Sequence, residues 1–126
     1  MAAVTREVFE YALLRAVPRV ERGEHINVGV LLYCQGRDFL DAAVHVDPAR
    51  LRALADGCDA DAVQDAADAV ARACRGEGPA GTTSRGQRFR WLTSPRSTVV
   101  QPGPVHAGLT EDPAAELARL LDVLVR

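Results

Sequence analysis

Nineteen residues, Arg88 to His106, gather Arg88, Arg90 and Arg96, the only tryptophan (Trp91), the hydroxyls of Thr93, Ser94, Ser97 and Thr98, Pro95, Pro102 and Pro104, and His106. Prolines remove backbone donors and arginines resist burial unless paired, so a plain structural strand has little use for this mixture. Guanidinium forks, hydroxyls and turn amides are a kit for holding a phosphate or a carboxylate. Alternation over Phe89 to Leu92 predicts a strand with Phe89 and Trp91 in the core. Arg88 and Arg90 then form an outward pair about 7 Å apart. Salt bridges to the chain's own carboxylates are the equal alternative.

A second polar cluster lies near the other end. Arg19 to Glu24 is a turn around Gly23, leading into His25 and Asn27. If both segments meet on one side of a small sheet, Arg19, Arg22, Arg90 and Arg96 make a positive concavity. His25 and Asn27 would supply hydrogen bonds beside it, and Ser97, Thr98 and His106 would complete the candidate binding set with Arg88. No catalytic residue is identified. No Gly-x-Ser-x-Gly elbow appears, no lysine exists to close a phosphate loop, and no HxxxH or CxxC spacing marks a metal. Neither a metal nor a cofactor is expected. Cys34, Cys58 and Cys74 are odd in number and far apart, which predicts reduced, partly buried thiols.

The chain of 126 residues suits one domain with one core. Its net charge of −2 conceals a segregation: eight aspartates lie between Asp38 and Asp68 against Arg50 and Arg52, whereas Gly76 to Gly108 holds four arginines and one acid, Glu77. Net acidity argues against generic nucleic-acid binding. No apolar run reaches the ~20 residues of a membrane span, and Met1 to Glu7 has no leader pattern, so the cytoplasm is the expected compartment.

These candidates need a scaffold. Val8 to Val17 is predicted as a strand ending at Pro18, with a helix as the competing reading because Ala, Leu, Glu and Arg suit either state. His25 to Tyr33 alternates, with Ile26, Val28, Val30 and Leu32 on one face and His25, Asn27, Gly29, Leu31 and Tyr33 on the other. Gly29 leaves room for a neighbouring backbone or a ligand. Gln35 to Asp38 turns the chain into a third strand, Phe39 to Val46. Asp47-Pro48 starts a short helix that stops near Gly57, and a second runs from Asp59–Asp61 to Cys74 with its aspartates on the positive end of the helix dipole. Gly76 to Gly86 is a mobile loop by composition. Further strands are predicted at Phe89 to Leu92 and Ser97 to Gln101, and Thr110 to Pro113 opens a last helix with Leu117, Leu120, Leu121 and Leu124 facing inward. The expected fold is α+β, a small antiparallel sheet of about four to five strands with helices packed mainly on one face.

Two blocks resemble the bacterial family catalogued as domain of unknown function 3037. They are Tyr11 to Glu24 with Ile26-Asn27-Val28-Gly29-Val30, and Phe89 to Thr98 continuing to Val105-His106-Ala107-Gly108-Leu109-Thr110. That family has no established activity, so the resemblance implies no catalytic residue. It implies genomic proximity to a HipA-like kinase, hence a partner role; the kinase's own Gly-rich loop, catalytic Asp block and lysine are absent here. Three function classes follow. The leading one is a non-enzymatic partner or regulator acting through an arginine-rich surface. The others are a binding module for a phosphorylated small molecule or nucleotide, and an enzyme with an uncommon Arg/His/Asn/Ser site.

Overall fold

The computed structural model describes residues 5–126; the leader reading of Met1 to Val4 lies outside the described residues. Strand β1 (Glu7–Ala16) is followed by β2 (Ile26–Cys34), a 3-10 turn (Gln35–Arg37) and β3 (Phe39–Val44). Helices α1 (Pro48–Leu54) and α2 (Ala60–Cys74) come next, then a 3-10 turn (Gly78–Thr82) and α3 (Arg85–Leu92). The chain closes with β4 (Val100–Pro102), β5 (His106–Thr110) and α4 (Pro113–Leu124). All pairings are antiparallel in the order β3-β2-β1-β4, with β5 also on β1. Among the described residues the result is a five-stranded antiparallel sheet in an α+β fold.

Both faces of the sheet are covered. Helices α1, α2 and α3 bury Leu51, Val63, Ala71, Cys74, Phe89 and Leu92 against Ala12, Leu14, Ala16, Leu31, Leu40 and Ala42. On the opposite face α4 buries Leu117, Leu120 and Leu121, with Val125 behind them, against Phe9, Val30, Leu32 and Cys34. Three helices thus share one face and the fourth takes the other. The aspartates before three of the helices work as caps: Asp47, Asp59 and Asp112 accept from Ala49, Ala62 and Ala115 amides, which satisfies donors that helix geometry leaves free.

The strict alternation expected along β2 is broken by a bulge. Leu14 pairs with Gly29 but Arg15 pairs with Asn27, so Val28 is an extra residue whose carbonyl accepts from His45 N at 2.8 Å. Ile26 and Val28 therefore join the α1–α3 face, while Val30 and Leu32 pass to the α4 face. Gly29 does admit a neighbouring backbone, since a Cβ there would meet the Ala43 carbonyl oxygen at 2.8 Å.

The larger correction concerns Phe89 to Leu92, which is helical. Ser84 and Gln87 form a reciprocal capping box that starts α3, and the loop expected over Gly76 to Gly86 already contains the 3-10 turn and the first residues of that helix. At 3.6 residues per turn, neighbours two apart point to roughly opposite sides. Phe89 is fully buried and Trp91 is 61% exposed, so only one of the two aromatics is core. The strand expected at Ser97 to Gln101 is shorter and later, at Val100–Pro102.

The bulge generates a paired test. Gly29→Ala places a methyl against the Ala43 carbonyl and should destabilise by about 1–3 kcal/mol, the ordinary cost of overpacking. Gly57→Ala, with nothing within 4 Å of its added Cβ, should stay within about 0.5 kcal/mol of wild type. Urea denaturation of both variants measures the difference.

Candidate functional site

Helix α3 turns its outer side toward the C-terminal half of α2 across the Gly78–Thr82 turn. The space between them is an open groove of about 660 Å³. Ala69 and Ala73 of α2 with Pro79 and Ala80 of the turn give it an apolar floor. Arg72, Gln87 and Arg88 line its sides with Glu77 and Thr83, and Trp91 forms one wall. The Arg88 side chain is half-buried and anchored: its Nη1 donates to the Thr83 carbonyl at 2.6 Å, while its Nε is buried without a partner. The Arg96 guanidinium sits 5.2 Å from the Trp91 ring centroid and donates to the Trp91 carbonyl, a cation–π contact that holds the indole in place. A tryptophan with one ring system open, on a largely apolar floor with arginines at the rim, has the composition of a binding hot spot.

The residues singled out in the sequence separate in space. Arg88 and Arg90 lie on different sides of α3 rather than in a strand pair. Arg88 faces the groove, and Arg90 makes a bidentate ion pair with Glu10 of β1 at 2.9 and 3.0 Å. Arg19 pairs with Glu21 and Arg22 with Glu24 inside their own turn. These contacts hold the acids below the usual carboxylate range: for Glu21 a backbone hydrogen bond is the first cause and Arg19 the second, and for Glu24 it is the hydrogen bond from Arg22. Arg19, Arg22 and Glu24 border a different hollow of about 490 Å³, against Asp56, Gly57 and Cys58.

The two family-like blocks do touch through backbone, because Val17 N donates to the Val99 carbonyl at 2.7 Å. Their arginines do not converge. Glu10, which takes Arg90, lies six residues before the end of β1, about 20 Å along a strand from the turn that holds Arg19 and Arg22. The single positive concavity expected from Arg19, Arg22, Arg90 and Arg96 is not formed.

Asn27 has an architectural contact. The bulge turns it to the α4 face, where its Nδ2 donates to the Leu124 carbonyl at 3.1 Å, beside the Arg50 Nη1 bond to the Val125 carbonyl at 2.8 Å. His25 is exposed, with Nδ1 3.4 Å from the Gly23 carbonyl. Ser97 and Thr98 are exposed in the turn before β4, and Thr98 Oγ1 donates to the Val100 carbonyl. His106 opens β5 with its ring 5.2 Å from that of Tyr11. Sequence reasoning missed Arg72, Pro79 and Gln87 as parts of a site. The Ser84-x-x-Gln87 capping box is the signal that marks the start of α3.

The three cysteines are free. Burial pushes the Cys74 thiol up to about 12 and also raises Cys58, with Asp59 adding to the latter. Neither is a thiolate at neutral pH, so neither has the form a nucleophile needs. Among the described residues no three His, Cys, Asp or Glu side chains are grouped as a metal would require. Two outcomes are expected. An alkylating reagent at pH 8 should label Cys58 slowly and leave Cys34 and Cys74 untouched until denaturant is added, as peptide mass mapping would read. Arg90→Ala should cost about 1 kcal/mol in urea denaturation, because the Arg90 end of its ion pair is exposed and screened while Glu10 keeps partial access to water.

Comparison with known proteins adds a family and nothing finer. No curated protein and no solved structure matches the chain. The family model described as a protein of unknown function, DUF3037, matches residues 11–125, nearly the whole length and both blocks noted above. The chain belongs to the DUF3037 family.

Proposed function

We propose that this chain is a non-enzymatic interaction module that receives a partner protein in the groove between α2 and α3. The observation that carries the reading is Trp91, the one tryptophan, 61% exposed on the wall of an apolar-floored groove and steadied by Arg96. Leaving an indole in water forgoes the burial of a large apolar side chain, and Phe89 two residues away shows that this helix can bury an aromatic ring. The groove's lining supports binding rather than turnover: small apolar residues, Arg72, Arg88, Gln87 and Thr83, with Glu77 as its one acid. It suits an apolar side chain flanked by carboxylates, so an acidic segment of a partner is the fitting occupant. The HipA-like kinase that the family resemblance brings in is the first partner to try, and a cytoplasmic location accords with it.

The groove's volume also falls in the range of small-molecule sites, which favours a phosphorylated small molecule as the second reading. Affinity purification from the native host with wild type and Trp91→Ala separates the two. The expected result is a stoichiometric protein retained by wild type and weakened about 30-fold or more by Trp91→Ala, the loss typical of an interface anchor, with an unchanged melting temperature. A partner held equally by both proteins overturns the groove as the docking site. Native mass spectrometry showing a bound phosphorylated metabolite and no protein replaces the first reading by the second.

A further inference from the structure

The two edges of the sheet are treated differently. The β3 edge is blunted: α2 packs along that strand, and Asp41 within it is ion-paired to Arg75 at 3.1 Å. Such charges and covering helices are the usual protection of an open edge against pairing with another chain. Strand β5 has neither. Among the described residues it pairs with β1 alone, and its own residues, His106-Ala107-Gly108-Leu109-Thr110, include no proline and no acid, lysine or arginine. His106, Ala107 and Leu109 are all exposed. Coverage of the α1–α3 face ends at the Arg90–Glu10 pair. Beyond it Val8 (61% exposed) and its cross-strand partner Leu109 (58% exposed) lie open.

We propose that β5 pairs with β5 of a second copy of this chain, joining two five-stranded sheets into one across a two-fold axis at Gly108. The strand is self-complementary in that arrangement. Antiparallel pairing centred on Gly108 sets Ala107 opposite Leu109 and His106 opposite Thr110 of the second copy, with Glu111 facing Val105, so no like charges meet. On the α1–α3 face Val8, Leu109 and the second copy's Ala107 then form one continuous apolar row. The two Leu109 side chains become diagonal neighbours, within reach of each other. Gly108 keeps the strand thin at the axis, because the Phe9 ring covers it from within β1, 2.7 Å from where a Cβ would be. Closed two-fold pairing is the commonest symmetry of homo-oligomers. Each edge offers only about 17 Å of strand, so the interface is smaller than the roughly 1,000 Å² that stable specific contacts bury, and the dimer dissociates on dilution.

Sedimentation velocity of the full chain over a wide concentration series tests this. Wild type should rise from the 13.5 kDa chain mass toward twice that value with increasing concentration. Leu109→Lys should remain at the single-chain mass throughout, with an unchanged melting temperature because its side chain is exposed in the free chain. Val123→Lys, on the exposed side of α4, should dimerise like wild type. A wild type that stays monomeric at the highest concentration overturns the proposal. So does a dimer that survives Leu109→Lys or is lost equally with Val123→Lys. None of these variants touches the Trp91 groove, so failure here leaves the docking reading to its own test.

Discussion

Strand β1 is the element on which the rest of the protein depends. It is hydrogen-bonded on one side to β2 from Glu10 to Ala16 and on the other to both β4 and β5. Its side chains feed both cores in alternation: Ala12, Leu14 and Ala16 lie under α1–α3, while Phe9 and Leu13 lie under α4. A strand buried on two faces loses its polar alternation, and this explains the sequence Val8-Phe9-Glu10-Tyr11-Ala12-Leu13-Leu14, in which Glu10 is the one charge. Glu10 is tolerated because Arg90 reaches it from α3. The same ion pair fixes where helical cover of that face stops.

Sharing β1 between two short strands demands a break in the opposite edge, and the prolines and glycine of Pro102-Gly103-Pro104 supply it. Gly103 N donates to the Leu13 carbonyl at 2.8 Å, and a Cβ on Gly103 would meet the Arg15 guanidinium at 3.0 Å. The bulge at Val28 answers a related need on the other side of β1. It turns Asn27 toward α4, whose last carbonyls would otherwise be left unpaired at the helix end. Asn27 and Arg50 take two of them, one from the sheet and one from α1. The α4 layer is thus tied to both the sheet and the opposite helical layer at one point. An asparagine that looked like a ligand-binding group in the sequence is spent on holding the fold together.

Most of the scaffold was legible because its signals are local. The Asp-Pro helix starts at Asp47 and Asp112, the stripe Leu117, Leu120, Leu121, Leu124, and the alternation of β3 all depend on residues within a few positions of one another. The parts that were not legible depend on longer relations. Alternation in β2 is correct until one unpaired residue reverses it, and only the partner strands β1 and β3 reveal Val28 as that residue. In Arg88-Phe89-Arg90-Trp91-Leu92, period two describes the arginines and aromatics equally well, but Phe89 and Leu92, three apart, are the buried pair. The apolar period competes with the polar one over too few residues to decide. Only the Ser84–Gln87 capping box breaks the tie, and it lies in a stretch whose glycines suggest a loop. The candidate site shifted for the same reason. A strand would display arginines close in sequence together, whereas a helix spreads them around its axis.

The spread changes what the arginines can do. Arg19, Arg22 and Arg90 each have a carboxylate within contact distance, so a ligand taking them must first displace a bound acid, and the gain is reduced by what is lost. Arg96 and Arg88 are committed differently. Their partners are carbonyl oxygens and an aromatic face, with no acid in an ion pair with either among the described residues. Positive charge near the groove is therefore uncompensated by direct pairing, while Arg6, Arg19, Arg22, Arg75, Arg90, Arg119 and Arg126 are each ion-paired to a carboxylate. An anionic group approaching Trp91 meets guanidinium charge with only Glu77 in the lining to oppose it, and field from such charges is strongest where low-dielectric walls confine it. Selectivity for an acidic partner would then arise from where the acids of this chain are placed, more than from the number of its arginines.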